Sequence, residues 1–111
     1  MITMWEVILR KAPTDKEIYL LINKLEAEIS KKTYYTRFTS PPKGKDLNTF
    51  EGRIWMIRNS VNNQDSEDWM KHLNRIRDFA HLTELLAEEM TTINYLIDEI
   101  WKKFKFREDN A

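Results

Sequence analysis

Leu47-Asn48-Thr49-Phe50-Glu51-Gly52-Arg53-Ile54-Trp55-Met56-Ile57-Arg58-Asn59-Ser60-Val61 decides how this chain folds, and the stretch reads in two ways. Residues 53–58 form a short apolar run bounded by Gly52 and by the polar stretch 59–63, as a strand would be. Leu47, Phe50, Ile54, Ile57 and Val61 also recur at helical spacing. A glycine inside a helix costs about 1 kcal/mol relative to alanine, and the local apolar run is short. The strand reading of 53–58 is therefore favoured.

Working outward, residues 33–39 alternate Tyr34, Thr36 and Phe38 against Tyr35, Arg37 and Thr39, all strand-favouring or strand-compatible types. Pro41-Pro42-Lys43-Gly44-Lys45 requires a loop, so 40–49 is expected to be an exposed basic connection between two hairpin strands. Residues 4–10 alternate Trp5, Val7 and Leu9 against Met4, Glu6, Ile8 and Arg10, which predicts a further strand. Between these segments Thr14-Asp15-Lys16-Glu17 has the spacing of a capping box, and Ile18, Ile22, Leu25 and Ile29 share one helical face. Lys31 and Lys32 suit the negative end of that helix, which is expected over 14–31.

Downstream, Asp65 or Ser66 can cap a helix that carries Trp69, Leu73, Ile76 and Ala80. A second stripe runs Leu82, Leu86, Met90, Ile93, Ile97, Ile100 and Phe104, widened by Leu85, Tyr95, Leu96 and Trp101. One long helix and two helices joined near 80–83 both fit, His81 and Thr83 being the weakest helix formers there. Residues 106–111 are expected to fray. The order strand, helix, strand, strand, then one or two helices predicts a small α+β fold with helices on one sheet face, as one domain over 1–111. The alternative is a mainly α fold with a short N-terminal strand.

Composition narrows the function classes. The chain has 111 residues, 41% apolar and 12% aromatic, as folded globular chains do. It has no cysteine, which removes disulfides, thiolate metal sites and cysteine nucleophiles, and fits a reducing compartment. Neither a signal-peptide run in the first ten residues nor a charge-free membrane-length stretch is visible, so a cytoplasmic location without membrane contact is expected. With two glycines there is no phosphate-binding loop, and no Gly-x-Ser-x-Gly elbow occurs. Asp78, His81, Glu84 and Glu88 run along one side of a helix, and Arg75 and His81 imitate the spacing of helical ribonucleases. Neither pattern has the further ligands or partners that metal or acid–base chemistry needs. No enzyme and no cofactor are expected.

The net charge of zero hides an asymmetry: residues 31–63 carry seven basic and two acidic residues, whereas 64–111 carry seven and eleven. Segregated charge is an argument about partners. Basic residues interleaved with aromatic ones mark Lys31, Lys32, Tyr34, Tyr35, Arg37, Lys43, Lys45, Arg53, Trp55 and Arg58 as the candidate contact residues. The expected function is that of a regulatory or accessory protein that occupies a surface on another protein with an acidic face, or on a second copy of itself. Binding of single-stranded nucleic acid through the same residues is the alternative, since bases stack on aromatic faces beside cations. Tyr35, Arg37 and the Lys43–Lys45 loop are the expected exposed members, with Phe38 buried.

Overall fold

The computed structural model describes residues 14–63, 68–83 and 85–109. Among these residues there are four α-helices: α1 (Asp15–Lys32), α2 (Phe50–Asn63), α3 (Asp68–Leu82) and α4 (Ala87–Asp109), with a short 3-10 helix (Gly44–Asn48) between α1 and α2. There is no strand among the described residues. The expected α+β fold, with paired strands at 33–39 and 53–58, is therefore overturned, and the mainly α alternative describes the architecture. The strand expected over 4–10 and the caps expected at Asp65 or Ser66 lie outside the described residues.

The helix α1 forms as its sequence predicts. Thr14 Oγ1 accepts the Glu17 N–H at 3.2 Å, and the Thr33 N–H closes the far end on the Ile29 carbonyl at 2.9 Å. Ile18, Ile22, Leu25 and Ile29 are fully buried. Burial of each such side chain contributes about 1.5–3 kcal/mol.

The helix α2 forms despite Gly52, and the reason is tertiary. A Cβ at Gly52 would overlap the Asp46 carbonyl oxygen and lie 2.9 Å from the Asp46 carbonyl carbon. The 3-10 helix folds back onto the first turn of α2, and only a residue without a side chain leaves room for its backbone. Thr49 completes the start: its Oγ1 accepts the Gly52 N–H at 3.0 Å and donates to the Asp46 carbonyl at 2.6 Å. The glycine that argued for a strand is thus a close-approach glycine inside a capped helix. Ile54, Ile57 and Val61 are fully buried on the stripe, and Phe50 packs edge-on against Phe79 of α3, with ring centroids 5.7 Å apart.

The chain breaks between α3 and α4 near His81 and Thr83. The Thr83 hydroxyl donates to the Ala80 carbonyl at 2.7 Å, a local bond that competes with helix continuation. A new start follows, with Glu89 accepting the Leu86 N–H at 3.0 Å and the Met90 N–H bonded to the Leu86 carbonyl at 3.1 Å. At the other end, α4 runs on to Asp109, into the stretch at 106–111 where the sequence suggests fraying. There Arg107 reaches the Asp15 carboxylate at 3.3 Å and the Val61 carbonyl at 3.1 Å.

These contacts define the topology. Asp15, Val61 and Arg107 meet at one end, so α1 starts where α2 and α4 finish. Phe50 against Phe79 and Trp69 against Trp101 set α3 antiparallel to both α2 and α4. Each helix packs on its two sequence neighbours and α4 returns to α1, giving an up-down-up-down four-helix bundle. Trp69 fills the interior beside Arg107's end, stacked on Phe104 at 5.1 Å and edge-on to Trp101 at 4.9 Å. Among the described residues no helix is long and apolar enough to cross a membrane.

Candidate functional site

The basic, aromatic segment begins at the end of α1, and three of its residues are held by one carboxylate. Glu26 lies on the apolar face of α1, four residues after Ile22 and three before Ile29, and is 5% exposed. Arg58 of α2 grips it with two bonds, Nη1 to Oε2 at 2.8 Å and Nη2 to Oε1 at 2.9 Å, and Nη2 also donates to Asn23 Oδ1 at 2.7 Å. The Tyr35 hydroxyl donates to Oε2 at 2.7 Å, and Arg37 Nη2 donates to Oε1. The Thr36 N–H donates to Glu51 Oε1 at 3.1 Å and so ties the same segment to α2.

Two opposed effects act on Glu26. Burial would raise its pKa, but the bonds from Arg58, Tyr35 and Arg37 outweigh it and hold the carboxyl at about 2. The Tyr35 phenol moves the other way, raised by burial and by the adjacent carboxylate. Arg58 is raised by its bond to Glu26. A carboxylate saturated in this manner is a structural clamp and a poor proton acceptor.

A second polar pair lies inside the bundle between α2 and α3. Arg53 is 6% exposed and His72 is 5% exposed, and Arg53 Nη1 lies 3.0 Å from His72 Nδ1. Arginine can only donate, so Nδ1 accepts and the neutral imidazole carries its proton on Nε2. Burial, then the Arg53 charge, lowers the His72 pKa to about 4. Burial, then Arg75, lowers that of Arg53. Arg53 Nε and His72 Nε2 have no hydrogen-bond partner among the described residues.

The candidate contact residues therefore divide. Tyr35, Arg37 and Arg58 converge on Glu26, and Arg53 turns into the bundle. Lys31 and Lys32 bridge to Glu28 at 3.4 and 3.0 Å, and the Lys32 bond leads the effects that lower the Glu28 pKa. Trp55 is half-buried, lining an open hollow of about 260 Å³ with Tyr19, Arg58, Asn59 and Asn62. Phe38 is half-buried and Tyr35 is not freely exposed. Lys31 and Arg37 are exposed but ion-paired, whereas Tyr34, at 90% exposure, and Lys43 and Lys45, at the start of the 3-10 helix, are exposed and in no ion pair among the described residues. All three lie on the connection between α1 and α2, at the end of the bundle where α3 meets α4.

That end also carries apolar side chains that the sequence assigned to the interior. Leu82 is 83% and Leu86 is 69% exposed, although both continue the stripe of α4. Beside them an open hollow of about 340 Å³ is lined by Phe50, Phe79, Leu82 and Thr83, with Asn48 and Thr49 on the 3-10 side. Leu96 is buried and Trp101 packs on Trp69, so the widened stripe of α4 is largely consumed by the bundle, while Tyr95 is 62% exposed.

Glu26, Asn23 and His72 did not figure among the sequence candidates. Their signal was present: Glu26 and His72 each stand at an i+3 or i+4 position of an apolar stripe, where a charge is out of place unless paired. Among the described residues no group of three or more His, Asp or Glu could hold a metal ion. Asp78, His81 and Glu88 are exposed, and Glu84 lies outside the described residues. The fold and site define a strapped four-helix bundle, its long connection clamped through one buried carboxylate. Compared with protein-family models, curated proteins and solved structures, the chain matches none.

Proposed function

We propose that this protein is a non-catalytic binding module that occupies an acidic surface on another protein, through the end of the bundle formed by the α1–α2 connection. Tyr34 is the aromatic anchor, and Lys43 and Lys45 steer the encounter. The observation that carries the reading is the 90% exposure of Tyr34 on a connection whose neighbouring residues, Tyr35, Thr36 and Arg37, are all tied down. A ring held out by an anchored backbone loses little conformational freedom on binding. Non-catalytic action is supported by what the perturbed groups do: Glu26 is saturated by three side chains and His72 is buried against Arg53. A cytoplasmic setting belongs to the proposal, and the cysteine-free composition is compatible with it.

The test places a photo-crosslinking residue at position 34 and compares the unmodified surface with a Lys43→Glu, Lys45→Glu variant. A single acidic adduct that is lost in the variant is the expected result. Recovery of the same adduct in equal yield from the variant would remove the basic connection from the interface. A parallel titration with a labelled single-stranded oligonucleotide at low salt addresses the nucleic-acid alternative. Salt-dependent binding there that disappears in the same variant would replace the protein-partner reading.

A further inference from the structure

We infer that Arg53 and His72 form an acid-operated latch: protonation of His72 parts the start of α2 from α3 and releases the 3-10 helix that carries Lys45. As a regulation of the contact surface, the inference rests on the reading that Lys43 and Lys45 serve that surface.

The latch begins with two side chains buried against each other that have no carboxylate between them. Arg53 and His72 are 6% and 5% exposed, and the neutral ring accepts from the guanidinium at 3.0 Å. That bond uses the one lone pair that a neutral imidazole offers. A protonated ring carries N–H groups on both nitrogens, so it loses the bond and sets a second positive charge against the first. Neither side chain is in an ion pair among the described residues. The charges that act on His72 are Arg53 from α2 and, on α3 itself, Lys71 beside it and Asp68 one turn before it. Arg53 also feels Arg75 of α3, whose own partner Asp78 lies 4.0 Å away. Of these charges on His72, Asp68 alone favours the imidazolium, and it is exposed to screening water. Two adjacent buried cations without a counter-ion cannot stay in place. Lying between α2 and α3, they separate by parting those helices.

The parting falls at the start of α2 because the Arg53 backbone belongs to the seat of the 3-10 helix. The Arg53 N–H bonds to the Thr49 carbonyl at 3.1 Å, and the Gly52 N–H bonds to Thr49 Oγ1 at 3.0 Å. Thr49 Oγ1 donates in turn to the Asp46 carbonyl, against which Gly52 is packed. A displaced Arg53 therefore strains the bonds that hold Asp46 and its neighbours, whereas Ile54, Ile57 and Val61 remain anchored in the core.

Amide hydrogen exchange of the full chain between pH 6.5 and 4 tests the latch without any partner. His72 titrates at 6.5 in an ordinary setting and at about 4 in the fold, so the open form should gain about a hundredfold over that interval. Protection of the Gly52 and Arg53 amides should fall by that factor. Dilute urea should leave their exchange unchanged, because a local opening exposes little surface. Leu25 and Ile97 should exchange through global unfolding, with a strong dependence on urea. A His72→Gln variant should hold the protection of Gly52 and Arg53 constant across the interval. Exchange at Gly52 and Arg53 that follows urea in step with Leu25 would overturn the inference. So would protection indifferent to pH, or an unaltered fall in His72→Gln. An acidic adduct at position 34 together with pH-independent exchange sinks the latch alone. The expected exchange with no adduct supports the latch and sinks the surface reading instead.

Discussion

Glu26 shows how much a single side chain can organise when it is placed on the wrong face of a helix. A carboxylate among Ile22, Leu25 and Ile29 must find partners or forfeit several kcal/mol, and it draws Arg58, Tyr35 and Arg37 onto itself. Removing the charge with Glu26→Gln leaves Arg58 without its counter-ion and should cost about 3 kcal/mol in urea unfolding. Arg37→Ala should cost less than about 1 kcal/mol, because the Arg37 side chain is 71% exposed and its pair is screened by water. Acid should act through two groups in sequence. His72 titrates at 6.5 in an ordinary setting but at about 4 in the fold, so below 6.5 the unfolded chain binds a proton that the native state refuses. Stability therefore falls as pH drops from 6.5 to about 4, by up to about 3 kcal/mol. The Glu26 contribution is complete above 4.5 and is lost as pH falls from there toward about 2. Unfolding free energies measured between pH 7 and 4 should show the first decline, and His72→Gln should flatten it.

Element by element, the sequence was legible where a helix carries its own instructions. The Thr14 cap and the stripe Ile18, Ile22, Leu25 and Ile29 specify α1 locally, and Trp69, Leu73, Ile76 and Ala80 do the same for α3. The joint between α3 and α4 was marked by Thr83, whose hydroxyl takes a backbone carbonyl. The helix α2 was misread because the meaning of Gly52 depends on Asp46, whose backbone lies against it. Nothing in the periodicity of 47–61 announces that approach. The alternation over 33–39 misled for a related reason: Tyr34 and Thr36 are exposed while Tyr35 and Arg37 reach Glu26, with no partner strand among the described residues. These causes make opposite predictions from propensity alone. Gly52→Ala would gain about 1 kcal/mol by helix propensity, yet the Asp46 carbonyl blocks the new methyl. A loss of about 1–3 kcal/mol in chemical denaturation is expected instead. Thr49→Ala should cost about 1 kcal/mol through the lost cap. A stabilised Gly52→Ala variant would mean that the 3-10 helix does not lie where it is described.

At the scale of the molecule, the four helices explain why a neutral chain with a basic middle is not a basic protein surface. Arg53 serves the interior, Arg37 and Arg58 serve the clamp, and Lys31 and Lys32 serve Glu28, leaving Lys43 and Lys45 as the candidate cations in no ion pair among the described residues. The candidate surface legible in the sequence thus shrinks to Tyr34 and two lysines at one end of a bundle. The exposed Leu82 and Leu86, which periodicity placed inside, extend that end into an apolar patch. All of this depends on α2 being a helix and on 33–39 being a connection clamped to α1. Backbone chemical shifts and nuclear Overhauser effects over residues 33–63 test that dependence most directly. Helical carbon shifts across 50–63, with contacts from the Tyr35 ring to α1 and none between strands, are the predicted result. Strand-type shifts at 53–58 with cross-strand contacts to 33–39 would contradict the bundle and everything built on it.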